Sequence, residues 1–243
     1  MPIIAINGKI GSGKDTIGKM IQYLTSGASE KWTFEEFLDY DKLGIQVSTE
    51  YEYSHNWEIK KFAGKLKQIA SILTGIPLKN FENQEFKNTF LPSDWNYFLK
   101  DKTITDDGIG LVVNKMTVRE FLQKLGTEAM RDGLHTNVWV NSLFSDYIVT
   151  TIATGSNEFD VQDTDLEPKW IITDLRFPNE YEAVAERNGI TIRVTRPGTL
   201  AGTHPSETAL DSYPYTYEIS NDGDYNSLLN KVREILVKAK IIS

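Results

Sequence analysis

Gly8-Lys9-Ile10-Gly11-Ser12-Gly13-Lys14-Asp15-Thr16 is the stretch that decides the fold. It has the spacing G-x-x-x-x-G-K of a phosphate-binding loop, with Asp15 where the usual pattern carries Ser or Thr. Such a loop turns successive backbone N–H groups toward an anion, and the following helix adds the positive end of its dipole. Glycines are needed because the chain must turn tightly and come close to the phosphates. The spacing alone arises by chance in about one chain in ten of this length, so its surroundings decide. Pro2 to Ile6 is a short apolar run suited to a buried strand. Ile17, Met20, Ile21 and Leu24 then fall at i, i+3, i+4 and i+7, one face of a helix. Strand, glycine-rich loop and helix is the context the motif requires.

Gly11, Ser12, Gly13, Lys14, Asp15 and Thr16 are therefore expected to bind ATP. Lys14 is expected to lie across the β- and γ-phosphates and follow charge as it moves, a catalytic role. Asp15 has two compatible readings. Its carboxylate can hold Mg²⁺ directly or through water while Thr16 contacts a phosphate, or it can favour the helix N-terminus.

The chain has 243 residues, 40% hydrophobic and 25% charged, enough for one large α/β domain. Its formal net charge of −8 argues against a broad nucleic-acid surface, while a small anionic substrate needs only a local positive cluster. No apolar run approaches the ~20 residues of a membrane span. There are no cysteines, hence no disulfides and no thiolate metal site, and three separated histidines argue against zinc. The first residues enter a strand at once, so no signal peptide and a cytoplasmic setting are expected.

Strands and helices alternate, the pattern of a parallel sheet with helices on both faces. Trp57 to Phe62 reads as a strand and Leu66, Ile69, Ala70 and Leu73 as a helix stopped by Gly75 and Pro77. Residues 78–100 have no clean period and read as a mobile substrate-side excursion or an ordinary surface insertion. Thr103 to Val113 reads as a hairpin around Asp107-Gly108. Thr117 and Glu120 form a capping box. The helix they open carries an apolar stripe of Val118, Phe121, Leu122, Leu125 and Ala129, beside a polar face of Arg119, Gln123, Thr127 and Arg131. A further helix from about Asn137 turns Val140, Leu143, Phe144 and Tyr147 inward, and residues 150–168 read as an exposed loop. Trp170 to Thr173 is a buried strand; Pro178 opens a helix that ends at a Gly189 C-cap. Ile190 to Thr195 and Tyr215 to Ser220 are strands, residues 196–214 a lid, and Leu228, Leu229, Val232, Ile235 and Leu236 mark the last helix. The expectation is a single domain over 1–243 with helical and loop insertions on the acceptor side.

A kinase acting on a phosphorylated acceptor holds two polyanions together and needs cations beyond Lys14. The candidates are Lys67, Arg119, Arg131, Arg176 and Arg196. Guanidinium groups suit a monophosphate because they bind it bidentately. Asp174 ends an apolar strand, where a carboxylate can hold Mg²⁺, and Arg176 projects beyond that end, where ligands bind in open α/β sheets. Glu180 lies in the first turn of the next helix, a position that equally suits plain helix stabilisation. Trp139 alone reads as core and His204 as a loop histidine.

Asp174-Leu175-Arg176-Phe177-Pro178-Asn179-Glu180 resembles the D-x-R-F-x-N-E segment of phage-type deoxynucleoside monophosphate kinases. Thr117-Val118-Arg119, Gln123, Leu125-Gly126-Thr127-Glu128 and Arg131 are similar to that family's T-x-R…Q-x-L-G-T-E…R helix. Trp139-Val140-Asn141 resembles its W-V-N, and Arg196-Pro197-Gly198 with His204, Ser206 and Glu207 its lid stretch. The Gly-Lys-Asp-Thr form of the loop is shared too. The resemblance implies transfer of the γ-phosphate of ATP to a deoxynucleoside monophosphate. It implies Lys67, Arg119, Gly126, Thr127, Trp139, Asp174, Arg176 and Glu180 on the acceptor side, with Trp139 against the base, and it suggests a homodimer. Lys14, Asp174 and Arg176 are the expected catalytic residues; Asp15, Thr16 and Asp174 are the expected Mg²⁺ residues; Arg131 joins the acceptor set and Arg196 the ATP set.

Two other functions compete. Another small-molecule P-loop kinase, such as a dephospho-coenzyme A or phosphomevalonate kinase, shares the loop but not the Gly126-Thr127 helix or the D-x-R-F-x-N-E segment. A non-catalytic ATP-binding protein would not need the basic set of Arg119, Arg131 and Arg176.

Overall fold

The computed structural model describes residues 3–43, 57–98, 103–105, 108–110, 113–154, 162–199 and 207–243. The first half of the chain carries β1 (Ile3–Gly8), α1 (Lys14–Thr25), α2 (Phe34–Lys42), β2 (Glu58–Lys60), α3 (Ala63–Thr74), α4 (Gln84–Lys87), β3 (Tyr97–Phe98), β4 (Thr103–Thr105), β5 (Gly108–Gly110) and β6 (Val113–Asn114). The second half carries α5 (Val118–Gln123), α6 (Val138–Phe144), β7 (Thr150–Thr154), β8 (Gln162–Leu166), β9 (Trp170–Ile172), α7 (Pro178–Ala185), β10 (Ile190–Thr195), β11 (Tyr217–Ser220) and α8 (Tyr225–Lys238). Contacts divide the chain into two compact units, Met1–Phe62 with Leu143–Ser243, and Ala63–Ser142.

In the first unit five parallel strands form one sheet in the order β11-β10-β1-β9-β2. Its register lines up Ile59, Ile171, Ile4 and Ile190 across four strands. Ile4 and Ile6 pack in one cluster with Ile17, Met20, Ile21 and Leu24 of α1 and Leu228, Val232, Ile235 and Leu236 of α8. Ile3 and Ala5 point to the opposite face by the period of two of a strand, and they are as fully buried. A strand buried on both faces reads as an unbroken apolar run, which explains Ile3 to Ile6. The sheet is the parallel α/β sheet that the sequence predicts, flanked by helices.

The second unit is built on Ala70, Phe81, Leu91, Val118 and Phe121, with Trp95 edge-on to Phe121 at 5.0 Å between ring centroids. Short helical turns at Leu78–Glu82, Gln84–Lys87 and Ser93–Trp95 supply part of this core. Within residues 78–96 most side chains are exposed, and Phe81 and Leu91 are the buried anchors that tie the stretch to this core. The Thr117–Glu120 capping box is present, with Thr117 N–H donating to Glu120 Oε2 at 2.7 Å and Glu120 N–H to Thr117 Oγ1 at 3.1 Å.

Several expectations change. The helix opened by Thr117 does not stay α-helical: Lys124–Asp132 is a π-helix, and i→i−5 bonds from Gly133 to Glu128 and from His135 to Met130 close its end. The wider turn rotates Ala129 off the apolar stripe and leaves it exposed. Residues 150–154 and 162–166 are not loop; they pair antiparallel from Thr150↔Leu166 to Thr154↔Gln162, as β-branched residues favour, and 155–161 lie outside the described residues. The left-handed residue after α7 is Asn188 (φ 54), not Gly189. Gly189 is required for space, since a Cβ there would stand 2.7 Å from Val184 Cγ1. The expected hairpin forms between Thr103↔Gly110 and Thr105↔Gly108; Asp107 lies outside the described residues. So do His55 and residues 200–206 of the expected lid, with His204 and Ser206. Among the described residues no helix is long and apolar enough to cross a membrane.

Candidate active site

The candidate residues of the first unit follow the carboxyl ends of its five strands. The phosphate-binding loop follows β1, Lys61 follows β2, Asp174 and Arg176 follow β9, Arg196 follows β10 and Asn221 follows β11. Parallel strands align these ends along one edge, where open α/β sheets bind ligands.

Gly11 (φ 79) and Gly13 (φ 101) both take the left-handed conformation that glycine adopts at no steric cost. A Cβ on Gly8 would stand 2.5 Å from Ser12 Oγ and 2.7 Å from the Val194 carbonyl oxygen, so the loop closes on bare backbone there. The Lys9 carbonyl accepts both the Ser12 N–H at 3.1 Å and Lys14 Nζ at 3.0 Å. Lys14 is only 9% exposed. Burial, then the positive charge of Arg176, lowers its pKa against the pull of Asp15, Glu207 and Asp174. The Ser12 hydroxyl is buried without a hydrogen-bond partner among the described residues. A glycine-lined turn, an orphan hydroxyl and a buried ammonium fit a polyphosphate.

Asp15 accepts a hydrogen bond from Thr173 Oγ1 at 2.8 Å and pairs with Lys61 Nζ at 3.1 Å. Its side chain is 72% exposed, yet protein atoms crowd the remainder of its surroundings. That partial desolvation pushes its pKa up, and Lys61, Thr173 and Lys14 together outweigh it, so the net shift is downward. Asp174 Oδ1 accepts the Phe62 N–H at 2.8 Å. Thr16 is half-buried beside Asp15. Among the described residues no group of three or more His, Cys, Asp or Glu could hold a metal by itself. Two carboxylates and a threonine hydroxyl suit Mg²⁺, which is usually held by one or two carboxylates together with substrate phosphates.

Arg176 is drawn to Glu207. Its Nη1 donates to Glu207 Oε1 at 3.0 Å, while Glu207 Oε2 accepts the Ile10 N–H of the loop at 3.2 Å. Lys9 Nζ donates to the Glu207 carbonyl and pairs with Asp211 at 2.7 Å. Arg193 shares Asp211 at 3.1 Å. Arg196, expected from the sequence to bind ATP, has its Nη1 donating to the Gly11 carbonyl at 3.2 Å. Glu180 is 2% exposed and accepts the N–H groups of Arg176 at 2.9 Å and Phe177 at 3.2 Å. In this geometry it holds the backbone of the Asp174–Phe177 turn, the helix-start role that its position allowed.

In the second unit, Lys67 is 8% exposed and its ammonium is bidentate on Glu82 at 2.7 and 2.8 Å. Arg119 donates to Asn88 Oδ1 at 3.1 Å and Gln84 Oε1 at 3.3 Å. Trp139 is 4% exposed, and its indole N–H donates to the Gly126 carbonyl at 2.9 Å. Packing and this bond account for Trp139 here. Gly126 is buried where a Cβ would stand 2.9 Å from Leu66 Cδ2, and Thr127 and Arg131 are half-buried.

Sequence reasoning gave no role to Lys61, Glu82, Asp211 or Asn221 and only a place in a motif to Glu207. Each acts through a contact distant in sequence, so no local spacing marks it.

A family model described as deoxynucleotide monophosphate kinase matches residues 49–232. The chain is similar to the deoxynucleoside-5'-monophosphate kinase of Escherichia phage T5, 23% identical over 244 residues that cover 91% of this chain and 90% of that one. It is 33% identical over 132 residues to the uncharacterized protein ORF77 of Ictalurid herpesvirus 1 (strain Auburn), covering 53% and 52% of the two chains. It is also 26% identical over 131 residues to the deoxynucleotide monophosphate kinase of Enterobacteria phage T4, covering 54% and 49%. The match thus spans about half the length of the herpesvirus and T4 proteins and most of the T5 protein.

Proposed function

The chain belongs to the deoxynucleotide monophosphate kinase family, and we propose that it transfers the γ-phosphate of ATP to a deoxynucleoside 5'-monophosphate, giving ADP and a deoxynucleoside diphosphate. The observation that carries the ATP part is the loop itself: left-handed Gly11 and Gly13, the orphan Ser12 hydroxyl and the buried Lys14 ammonium.

Transfer of a phosphoryl group demands positioning and charge neutralisation more than covalent help. Gly11 to Thr16 bind the donor phosphates, with Arg196 beside them. Lys14 exchanges the Lys9 carbonyl for the phosphates and follows the charge toward the leaving oxygen. Asp15, Thr16 and Asp174 are the residues that would hold Mg²⁺, which would neutralise charge developing on the transferring phosphate. Arg176 offers a guanidinium to the acceptor phosphate, and Glu180 keeps the turn that carries it in shape. The second unit offers Lys67, Arg119 and Arg131 as cations for a monophosphate, with Gly126, Thr127 and Trp139 for the nucleoside. Lys67 holds both oxygens of the single Glu82 carboxylate, which a phosphate dianion can replace. The substrates are small nucleotides, the setting cytoplasmic and the assembly a homodimer.

The test is kcat/KM with ATP and Mg²⁺ for dTMP, dGMP, dCMP, dAMP, their ribonucleotides and dephospho-coenzyme A. Deoxynucleotides should be best and dephospho-coenzyme A inert. Lys14→Ala should lower kcat by about 10²–10³ while the protein stays folded. Faster turnover of dephospho-coenzyme A than of every deoxynucleotide overturns the reading.

A further inference from the structure

Asn221 lies immediately after β11, 209 positions from the residue it contacts. Its Nδ2 donates to the Ser12 carbonyl oxygen at 2.8 Å. A carbonyl only accepts, so the nitrogen of the amide must be the atom that faces it. We propose that Asn221 is a positioning residue for the phosphate-binding loop, a brace that aims the Gly13 N–H at the donor phosphates. This inference rests on the donor-site reading above.

The Ser12–Gly13 peptide unit is planar and trans, so its carbonyl and its N–H point in opposite directions. Holding the Ser12 carbonyl on Asn221 turns the Gly13 N–H to the other side, where a loop of this type collects its donors. The Ser12 N–H is engaged by Lys9, and the Gly13 carbonyl accepts the Ile17 N–H of α1 at 2.9 Å.

The brace is itself held. The Asn221 N–H donates to the Thr195 carbonyl at 2.7 Å, tying it to the end of β10. On either side of it, Lys231 of α8 donates to the Ser220 carbonyl at 2.8 Å and to Asp222 at 2.6 Å. A Cβ on Gly13 would stand 2.6 Å from Asn221 Nδ2. Gly13 is therefore excluded from carrying a side chain twice over, by its φ of 101 and by the brace. Asn221 bonds the Ser12 carbonyl while Arg196 bonds the Gly11 carbonyl, so the ends of β11 and β10 hold two successive loop peptides from outside.

The experiment compares Asn221→Leu and Asn221→Ala with the wild-type chain. Leu has nearly the shape of Asn and no donor; Ala has neither shape nor donor. Three quantities are read: ADP affinity by calorimetry, KM for ATP against KM for the deoxynucleotide, and the thermal midpoint. Both variants should bind ADP about 3- to 10-fold more weakly, the worth of one hydrogen bond. KM for ATP should rise with it, KM for the deoxynucleotide should hold, and Leu should keep more of the thermal midpoint than Ala. A purely packing role predicts instead that Leu binds ADP like wild type and only Ala binds it more weakly. That result overturns the brace alone, as does an equal rise in both KM values. A wild-type chain that binds neither ADP nor ATP overturns the donor-site reading and the brace together.

Discussion

Arg176 and Glu207 are joined by a hydrogen bond of 3.0 Å from Nη1 to Oε1, and the Glu207 carboxylate is 5% exposed. The same carboxylate accepts the Ile10 N–H, so one buried acid ties the Arg176 guanidinium to the front of the phosphate loop. Glu207→Ala removes both links. Because Arg176 keeps 35% of its side chain in solvent, the stability loss should be about 1–3 kcal/mol, below that of a fully buried pair. Denaturant unfolding checks this. The value of kcat/KM should fall about 10- to 100-fold, with Glu207→Gln intermediate because it keeps an acceptor of the same shape. Wild-type kinetics in Glu207→Ala would leave the pair a structural contact with no part in turnover.

Asp174→Asn separates charge from structure. The asparagine oxygen can still accept the Phe62 N–H that Asp174 Oδ1 accepts, so the thermal midpoint should change little. The charge that would neutralise and hold Mg²⁺ is lost, so kcat should drop and the Mg²⁺ optimum should rise while ADP affinity holds. An unchanged Mg²⁺ titration would make Asp174 an anchor for the end of β2 and nothing more.

Arg176→Ala and Arg119→Ala should each raise KM for the monophosphate more than KM for ATP. A dianionic phosphate depends on local guanidinium partners. For Arg119 the present partners are the neutral amides of Asn88 and Gln84, which a phosphate can displace without breaking an ion pair. Steady-state kinetics with each substrate varied in turn decides; an effect on ATP alone would move either residue to the donor side.

Trp139→Phe removes only the indole donor and some volume. The buried Gly126 carbonyl loses its 2.9 Å bond, which should cost about 1–2 kcal/mol of stability. Urea unfolding measures it. Unchanged stability with a raised KM for the deoxynucleotide would instead assign Trp139 to the base.

Alkaline pH should unfold the protein partly through two tyrosines. Burial, chiefly, raises Tyr215 and Tyr147 to about 12 from an ordinary 10.0. The Tyr215 hydroxyl also donates to the Leu210 carbonyl at 3.0 Å. Between about pH 10 and 12 the folded chain keeps protons that the unfolded chain has released. Stability from these groups is therefore complete below pH 10 and lost as pH rises toward 12. Ultraviolet titration should show two delayed phenolates that appear with unfolding. Tyr147→Phe should be neutral or stabilising, since that buried hydroxyl has no hydrogen-bond partner among the described residues.

The phosphate loop, the strand before it, the apolar stripe of α1 and the parallel α/β sheet are legible from the residues alone. These depend on short-range chemistry. Gly11 and Gly13 are needed where φ is positive, and Ile17, Met20, Ile21 and Leu24 recur at the helical period whatever they later pack against. The Thr117–Glu120 capping box was legible too.

How that loop is held and what each charge meets follow from contacts made on folding. The antiparallel pairing of β7 with β8 and the π-helix from Lys124 to Asp132 break the local periods on which a sequence reading depends. Lys61 meets Asp15, Glu82 meets Lys67, Glu207 meets Arg176 and Asn221 meets Ser12. None of these pairs has a spacing that a helix or strand repeats. In the first unit they arise when parallel pairing aligns the carboxyl ends of strands far apart in the chain, so that a single side chain beyond each end finds its partner across the sheet's edge.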